Sequence, residues 1–390
     1  MKVFGFTLLA GLAALAISST ASAQTNIIRI TGAQADRNAL NAAIGHILNP
    51  GYVYGYAGSS LSGASQVEFR GTTVVGSYPV DIKTDLIGST GGIQELVDNL
   101  TITAWFNATN LTASGTANLT GPTESALADI SISDSFQGST LYTSPLLSDK
   151  VIGVTPYVWV KNAGSPSTIS NITPWIAQAI LGAGQIPLSQ ITGLTNDQNT
   201  AVSIVGRDEN AGQRLVAFAE SGFGIFTPPF QYEPIISGTP GPSGTVTGIE
   251  PWPINTVNGI TYPVGHSGYS TSSALAAALN TPGSYANAGT WILSYLAIND
   301  AASVTNLGAG SLSYNGFYYS PQAVQQGQYS FWAYTHWFNR TSFGGTPQTV
   351  ANQIATQILN VDQANQGVLL NTLSVGRTVE GGVITFGNPY

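Results

Sequence analysis

Gly88-Ser89-Thr90-Gly91-Gly92-Ile93-Gln94-Glu95-Leu96 places a hydroxyl-bearing, glycine-rich turn directly ahead of a helical pattern. Glycines let the backbone approach a ligand closely, the first free N–H groups of a helix point outward, and the helix dipole favours negative charge there. The stretch therefore reads as a seat for an anion. Taken alone it reads more simply as a turn and an ordinary N-cap, because Ser, Thr and Gly are common cap residues. A second stretch changes the balance. Gly206-Arg207-Asp208-Glu209-Asn210-Ala211-Gly212-Gln213-Arg214 follows the apolar run Ala201 to Val205 and precedes the helical pattern Leu215 to Ala219. Two strand-to-helix loops, far apart in sequence, are built for one oxyanion.

The segments around these loops alternate strand and helix. Asn26 to Thr31 reads as a strand, and Asn38 to Leu48 as a helix ended by Asn49-Pro50-Gly51. Thr72 to Val75 and Val80 to Ile82 suggest strands ahead of the Gly88 loop, and Gln94 to Leu100 continues its helix. Ala128 to Ser133 is a short buried strand, and Val151 to Lys161 a long apolar run rich in β-branched and aromatic residues. Thr173 to Leu181, Thr271 to Leu279 and Thr346 to Leu359 read as helices, and Trp291 to Ile298 as a strand. This alternation predicts an α/β fold with mainly parallel sheets. Residues 100–125 and 227–263 interrupt it and read as loop-like surface excursions, the second carrying Pro228, Pro229, Pro234, Pro240, Pro242, Pro251 and Pro253.

Composition narrows the function classes. A chain of 390 residues, 43% of them hydrophobic, can build two domains of ordinary size. Lys2, the apolar stretch Val3 to Ile17 and the small residues ending Ala21-Ser22-Ala23 form a secretory signal over residues 1–23, so the expected product is exported, to the periplasm or the exterior, and soluble after cleavage. Cysteine is absent, which excludes disulfides and thiolate metal sites. Charged residues make up 8%, against about 25% in typical soluble domains. Ser, Thr, Asn, Gln and Gly must therefore solvate the surface, which suits either life outside the cytoplasm or self-association. The net charge of -8, with no basic stripe, argues against nucleic acid as a partner.

An enzyme finds little support. His46, His266 and His336 have no helical i, i+4 partner, so no zinc site is expected, and no cofactor is implied. Gly265-His266-Ser267-Gly268-Tyr269 resembles a nucleophile elbow but ends in Tyr where Gly belongs, and it reads as a turn before the helix at Thr271. Trp105, Trp159, Trp175, Trp291, Trp332 and Trp337 read as core residues.

With these segments in view, the chain resembles the phosphate-binding periplasmic proteins of ABC transporters, the PstS-like branch of the two-domain solute-binding superfamily. Landmarks fall in that family's order: Ile30-Thr31-Gly32-Ala33-Gln34, the Gly-Ser-x-Gly-Gly loop from Gly88 to Gly92, Ile132-Ser133-Asp134, and the Arg-x-x-x-x-Gly loop from Arg207 to Gly212. Gly268-Tyr269-Ser270, Leu312 to Gly316 and Tyr329 to His336 resemble later family text. The resemblance implies a two-lobed fold, each lobe a mainly parallel sheet flanked by helices, with a ligand cleft between the lobes. It divides the mature chain into lobe 1, residues 24–155 and 295–390, and lobe 2, residues 156–294. It implies phosphate or a similar oxyanion as ligand, a membrane permease of the ABC type as partner, and no catalysis.

Residue by residue, the resemblance makes Ser89 and Thr90 hydroxyl donors, Asp134 the acceptor of a proton carried by the oxyanion, Arg207 the charge partner and Gly212 a backbone N–H donor. Asp134 would then select phosphate over sulfate by repelling a fully deprotonated anion. As a residue read alone, Asp134 is equally a turn or N-cap residue ahead of Ser135. The chain also departs from the family. Ala211-Gly212-Gln213 stands where a Ser-Gly-Thr triplet is expected, and Ala33-Gln34-Ala35 where a small hydroxyl residue is expected. Gln34 and Gln213 are the remaining side-chain donors at those positions. These losses leave a second expectation open: a secreted, self-associating structural protein on the same scaffold, with little or no phosphate binding.

Overall fold

The computed structural model describes residues 24–283, 288–305 and 309–390. The secretory signal expected at residues 1–23 lies outside the described residues. The first segment is the strand β1, Asn26–Gly32, followed by helix α1, Arg37–Ile47. β2, Val53–Tyr56, β3, Gln66–Thr72, and β4, Pro79–Asp85, lead to helix α2, Ser89–Val97. After β5, Ile130–Ser133, comes the long strand β6, Ser148–Lys161, and then helix α3, Pro174–Ala183. β7, Gln185–Pro187, and β8, Ala201–Ile204, precede helix α4, Gly212–Ser221. Helix α5, Ser272–Leu279, strand β9, Thr290–Ala297, strand β10, Gly310–Ser311, strand β11, Trp332–Asn339, and helix α6, Gly345–Asn360, complete the frame.

These strands form one sheet of eleven, ordered β7-β8-β9-β6-β11-β5-β1-β4-β3-β2, with β10 beside β6. Parallel ladders lie at the centre of each half, β4-β1-β5 in the first and β8-β9 in the second. Antiparallel ladders form the edges and the junction, so the parallel reading applies to the part of the sheet from which the loops of interest emerge. β6 joins the halves. Its residues 148–156 pair with β11, and residues 157–161 pair with β9.

The helices cover the sheet through apolar stripes of the expected period. Ala39, Leu40, Ala43, Ile44 and Ile47 of α1 and Val350, Ala351, Ile354, Ala355 and Ile358 of α6 are buried with Ile28 and Ile30 in one core. In the second half Val202, Ile204, Val216, Phe218, Leu293 and Tyr295 belong to another. Local signals set several helix ends. Thr173 accepts from Ile176 N with Pro174 in the first turn, and Thr271 accepts from Ala274 N.

Several expectations are corrected. Residues 100–125 and 227–263 contain antiparallel ribbons: Thr101–Phe106 pairs with Thr123–Leu127, Tyr232–Ser237 with Thr245–Pro251, and Asn255–Val257 with Ile260–Tyr262. A two-stranded ribbon has outward edges where a missing N–H is tolerated, so Pro234 and Pro251 do not forbid strands there. Strand β3 ends at Thr72; Val74 and Val75 sit at an exposed hairpin tip rather than in a strand. Helix α2 starts at Ser89, so Gly91 and Gly92 lie within it, and it ends at Val97. Trp105, Trp159, Trp332 and Trp337 are core residues, whereas Trp175, in the first turn of α3, is 78% exposed.

Burial also sets a pH dependence. It raises Glu95 to about 8, Asp36 to about 7 and Asp85 to about 6. A carboxyl whose folded pKa lies above its unfolded value of about 4 binds more protons when folded. Its stabilising contribution is complete below pH 4 and is lost as pH rises through about 6 to 8. Urea unfolding across pH 5 to 8.5 should therefore show the midpoint falling steadily. A midpoint that climbs over this window would mean that these carboxyls are ionised in the folded chain.

Candidate ligand site at the strand ends

β1, β4 and β5 run parallel, so the loops that follow them leave the same edge of the sheet, the usual place for ligands in α/β folds. Gln34 follows β1, Ser89 follows β4 and Asp134 follows β5. From the second half, the loop after β8 supplies Arg207, and the first turn of α4 supplies Gly212 and Gln213. All six line one void, together with Ala35, Gly88 and Ala211. Asp134 and Arg207 are each 2% exposed.

The void is small, about 10 Å3, the space one water needs. Its walls are hydrogen-bonded to one another. Ser89 Oγ donates to one Asp134 carboxylate oxygen and Tyr157 OH to the other, while Asp134 N donates to Ser89 Oγ at 3.2 Å. Burial raises the Asp134 pKa, and the Ser89 and Tyr157 hydroxyls and the Arg207 charge oppose that rise. The same burial, with the Asp134 and Asp36 charges, holds the Tyr157 hydroxyl well above its ordinary value, so it stays a donor.

Arg207 makes no direct pair with Asp134. Its Nε donates to Tyr269 O at 2.8 Å, its Nη1 to Ser272 Oγ, and its Nη2 to Ser270 O at 2.9 Å and Gln34 Oε1 at 3.2 Å. Gln213 Nε2 donates to Tyr295 O at 3.3 Å, and its Oε1 accepts from Ser272 Oγ at 3.0 Å. Gln34 Nε2 donates to Leu86 O at 3.1 Å. Both glutamines thus brace the arginine and the strand ends. They stand where the resemblance expects small hydroxyl residues, and their bulk accounts for much of the small void.

Two glycines let the halves meet. Gly88 has φ 126, and a Cβ there would fall 2.2 Å from Asn210 O, so only glycine permits the two loops to touch. Asn210 O accepts from Thr90 N at 3.0 Å. A carbonyl of the second half thereby takes a free amide at the start of α2, the group the sequence marks for an anion. At Gly212 a Cβ would lie 1.6 Å from Asp134 Oδ1, so the carboxylate rests against the first turn of α4, where the helix dipole favours negative charge.

Of the residues singled out in the sequence, Ser89, Asp134, Arg207, Gly212, Gln34 and Gln213 are brought together. Thr90 is not. It faces a separate, larger cavity, and its Oγ1 is buried with no hydrogen-bond partner among the described residues. Sequence reading missed Tyr157, Ser272 and the Asn210 carbonyl. Tyr157 is one aromatic in an apolar run, with nothing to mark its hydroxyl. Ser272 lies two residues after the noted Gly268-Tyr269-Ser270, and only the fold shows that it reaches Arg207. Two of the three histidines have other partners, His46 Nδ1 lying 3.0 Å from Asp362 and His336 Nδ1 3.0 Å from Asp149, and His266 lines the larger cavity. Among the described residues no cluster of His, Asp and Glu suits a metal ion, and no helix is long and apolar enough to cross a membrane.

No family model matches the chain, and no curated protein matches it significantly. Solved structures do resemble it. One, described as a phosphate ABC transporter substrate-binding protein from Clostridium perfringens with bound phosphate, is 11% identical, with 86% of this chain and 98% of that one covered and a TM-score of 0.50. An ABC-type phosphate transport receptor from Vibrio cholerae is 11% identical over 87% of this chain and 96% of that one, with a TM-score of 0.46. A phosphate-binding protein from Stenotrophomonas maltophilia is 16% identical over 93% and 87%, with a TM-score of 0.39. At such identities the likeness concerns the fold, and the first of them supports the two-lobed α/β architecture.

Proposed function

We propose that this chain is an exported solute-binding protein with a site of the phosphate-binding type, which takes a protonated oxyanion weakly and passes it to a membrane permease. The observation that carries this reading is the convergence of Ser89, Asp134, Arg207 and Gly212, from separate loops of both halves, on one buried void. The proposed lobes, residues 24–155 with 295–390 and residues 156–294, divide near where β6 changes partner from β11 to β9. A hinge there would open and close the cleft.

The affinity is weak because the site is already satisfied. A tetrahedral oxyanion needs far more room than one water, so the Gly88 and Arg207 loops must part and Ser89 must leave Asp134. Each hydrogen bond to a charged group is worth about 1.5 to 3 kcal/mol, and the bonds broken offset the bonds gained. Asp134 would accept a hydrogen bond only from an oxyanion that carries a proton, so phosphate and arsenate are favoured over sulfate.

A second reading, self-association on the same scaffold, rests on the C-terminal ribbon, where Val375–Gly376 pairs with Thr385–Phe386. There Val383 is 83% and Phe386 94% exposed on a surface with few charges. Sedimentation showing large assemblies, together with no phosphate binding, would favour it.

Calorimetric titration tests the oxyanion reading. Phosphate should bind weakly and sulfate not measurably, and Asp134→Asn should narrow the difference. Ala211→Ser with Gln213→Thr should restore two hydroxyls and release space, raising phosphate affinity at least about tenfold, or about 1.4 kcal/mol. Equal affinity for sulfate and phosphate in the unaltered protein, or no phosphate binding in either form, would reject the reading. Ala211 is also the N-cap of α4, with no side-chain cap. Ala211→Ser alone should therefore raise stability by about 0.5 to 2 kcal/mol, measured by urea unfolding without ligand. Unchanged stability would mean that the serine hydroxyl does not reach the α4 amides.

A further inference from the structure

Beside the small void, and sharing Ala211 with it, lies a second cavity of about 310 Å3. Its wall is contributed by both halves of the sheet. Thr90 of α2 and Leu141 and Tyr142 come from the first half, and Phe218, Phe226 and Tyr262 are among the residues from the second. A molecule held there would touch both halves, as the ligand of a closing cleft must.

The chemistry of the wall specifies what could fit. Its charged groups are Glu209 and Arg214, and they are committed to each other and to the protein. Their ion pair is 3.2 Å, Arg214 donates to Arg207 O and His266 O at 3.0 Å each, and its guanidinium lies over the Phe218 ring at 5.2 Å. Glu209 Oε2 accepts from Ser267 Oγ at 2.9 Å. A carboxylate, phosphate or amine ligand would find both fixed charges of the wall already paired, and burying it unpaired is costly. Ser139, Thr140, Asn210 and Asn258 are hydrogen-bonded within the protein, and the polar groups left are the hydroxyls of Tyr142, Tyr262 and Thr227 and the His266 ring, with Thr90 Oγ1 fully buried and without a partner among the described residues. The rest of the wall is largely apolar and aromatic. An apolar cavity of about 150 Å3 holds benzene, and twice that volume suits two fused rings.

We infer that this cavity is a ligand site of its own, for a neutral two-ring aromatic molecule bearing a hydroxyl, held between the halves and hydrogen-bonded through the hydroxyls of Tyr142 and Tyr262. The site is independent of the oxyanion reading, because none of Ser89, Asp134 and Arg207 lines it.

The test is a calorimetric titration of the purified protein with 2-naphthol, and in parallel with naphthalene-2-sulfonate, which has the same rings and a full negative charge. 2-Naphthol should bind saturably by about 1 mM, and the sulfonate at least about tenfold more weakly. Leu141 and Phe226 are 65% and 61% exposed at the cavity, so replacing both with alanine should leave the fold intact while weakening 2-naphthol at least about tenfold. Ile225→Trp should abolish binding by filling the space. Absence of 2-naphthol binding to the unaltered protein, equal affinity for the neutral and anionic compounds, or unchanged affinity in the variants would each overturn the inference. Phosphate takes no part in the titration, so a failure to bind phosphate is read separately.

Discussion

The buried Asp134 carboxylate is the constraint around which the rest of the structure is arranged. A carboxyl so deeply buried must have its oxygens satisfied, and here hydroxyls of Ser89 and Tyr157, the first turn of α4 at Gly212 and the charge of Arg207 share the task. Those groups come from three distant parts of the chain. Satisfying one carboxylate therefore fixes where the Gly88 loop, the middle of β6 and the α4 loop lie relative to β5. The halves are locked together by the same contacts that a ligand would have to compete for. Under the oxyanion proposal, this internal carboxyl would act as a tethered competitor, with an effective concentration set by the fold rather than by the medium.

β6 makes such a closed arrangement possible without making it permanent. One strand of 14 residues pairs with β11 at its beginning and with β9 at its end, so the two half-sheets share a covalent backbone. Tyr157 sits at this change of partner, its hydroxyl on Asp134 and its ring against Phe331 at 5.6 Å. A rotation of the halves about this region would pull on the tyrosine and on the Asn210 carbonyl together.

Much of this was legible in the sequence. The strand-loop-helix alternation and the two glycine-rich loops marked the fold class and the loops of Ser89, Arg207 and Gly212, because local turn chemistry and hydrophobic periodicity carry that information directly, whereas Gln34, Asp134 and Gln213 entered through the family resemblance. The ribbons at residues 101–127 and 232–262 were not legible. Their strands bury residues only intermittently, as at Ile102, Trp105 and Val246, and their turns and prolines resemble loop text. The state of the site was not legible either. Ala211, Gln34 and Gln213 announced lost hydroxyls, but that the glutamines would brace Arg207 and fill the space depends on Ser272 and Tyr295, brought close only by α5 and β9. Thr90 shows the limit of motif reading at its sharpest. It adjoins Ser89 in sequence, yet one step along a helix turns it about 100° and into a different cavity.

The scarcity of charge gains a different meaning once positions are known. Many of the basic groups the chain retains are inside. Lys83 is 1% exposed and lies 2.9 Å from Glu124, Arg377 is 2% exposed and 2.8 Å from Glu220, and Arg37, at 9%, pairs with Asp300. Arg207 and Arg214 are equally committed. Such pairs contribute little net stability compared with apolar residues of the same size, but removing one partner leaves a costly buried charge, so they fix geometry more than they add stability. The consequence lies on the outside. With its cations turned inward, the surface has little positive charge to draw an anion from a distance, and steering by a long-range field is weak. Recognition must then come from short-range contact, which favours ligands that gain from apolar burial and neutral hydrogen bonds. The larger cavity, with its paired charges and tyrosine hydroxyls, fits that constraint better than the small void beside it.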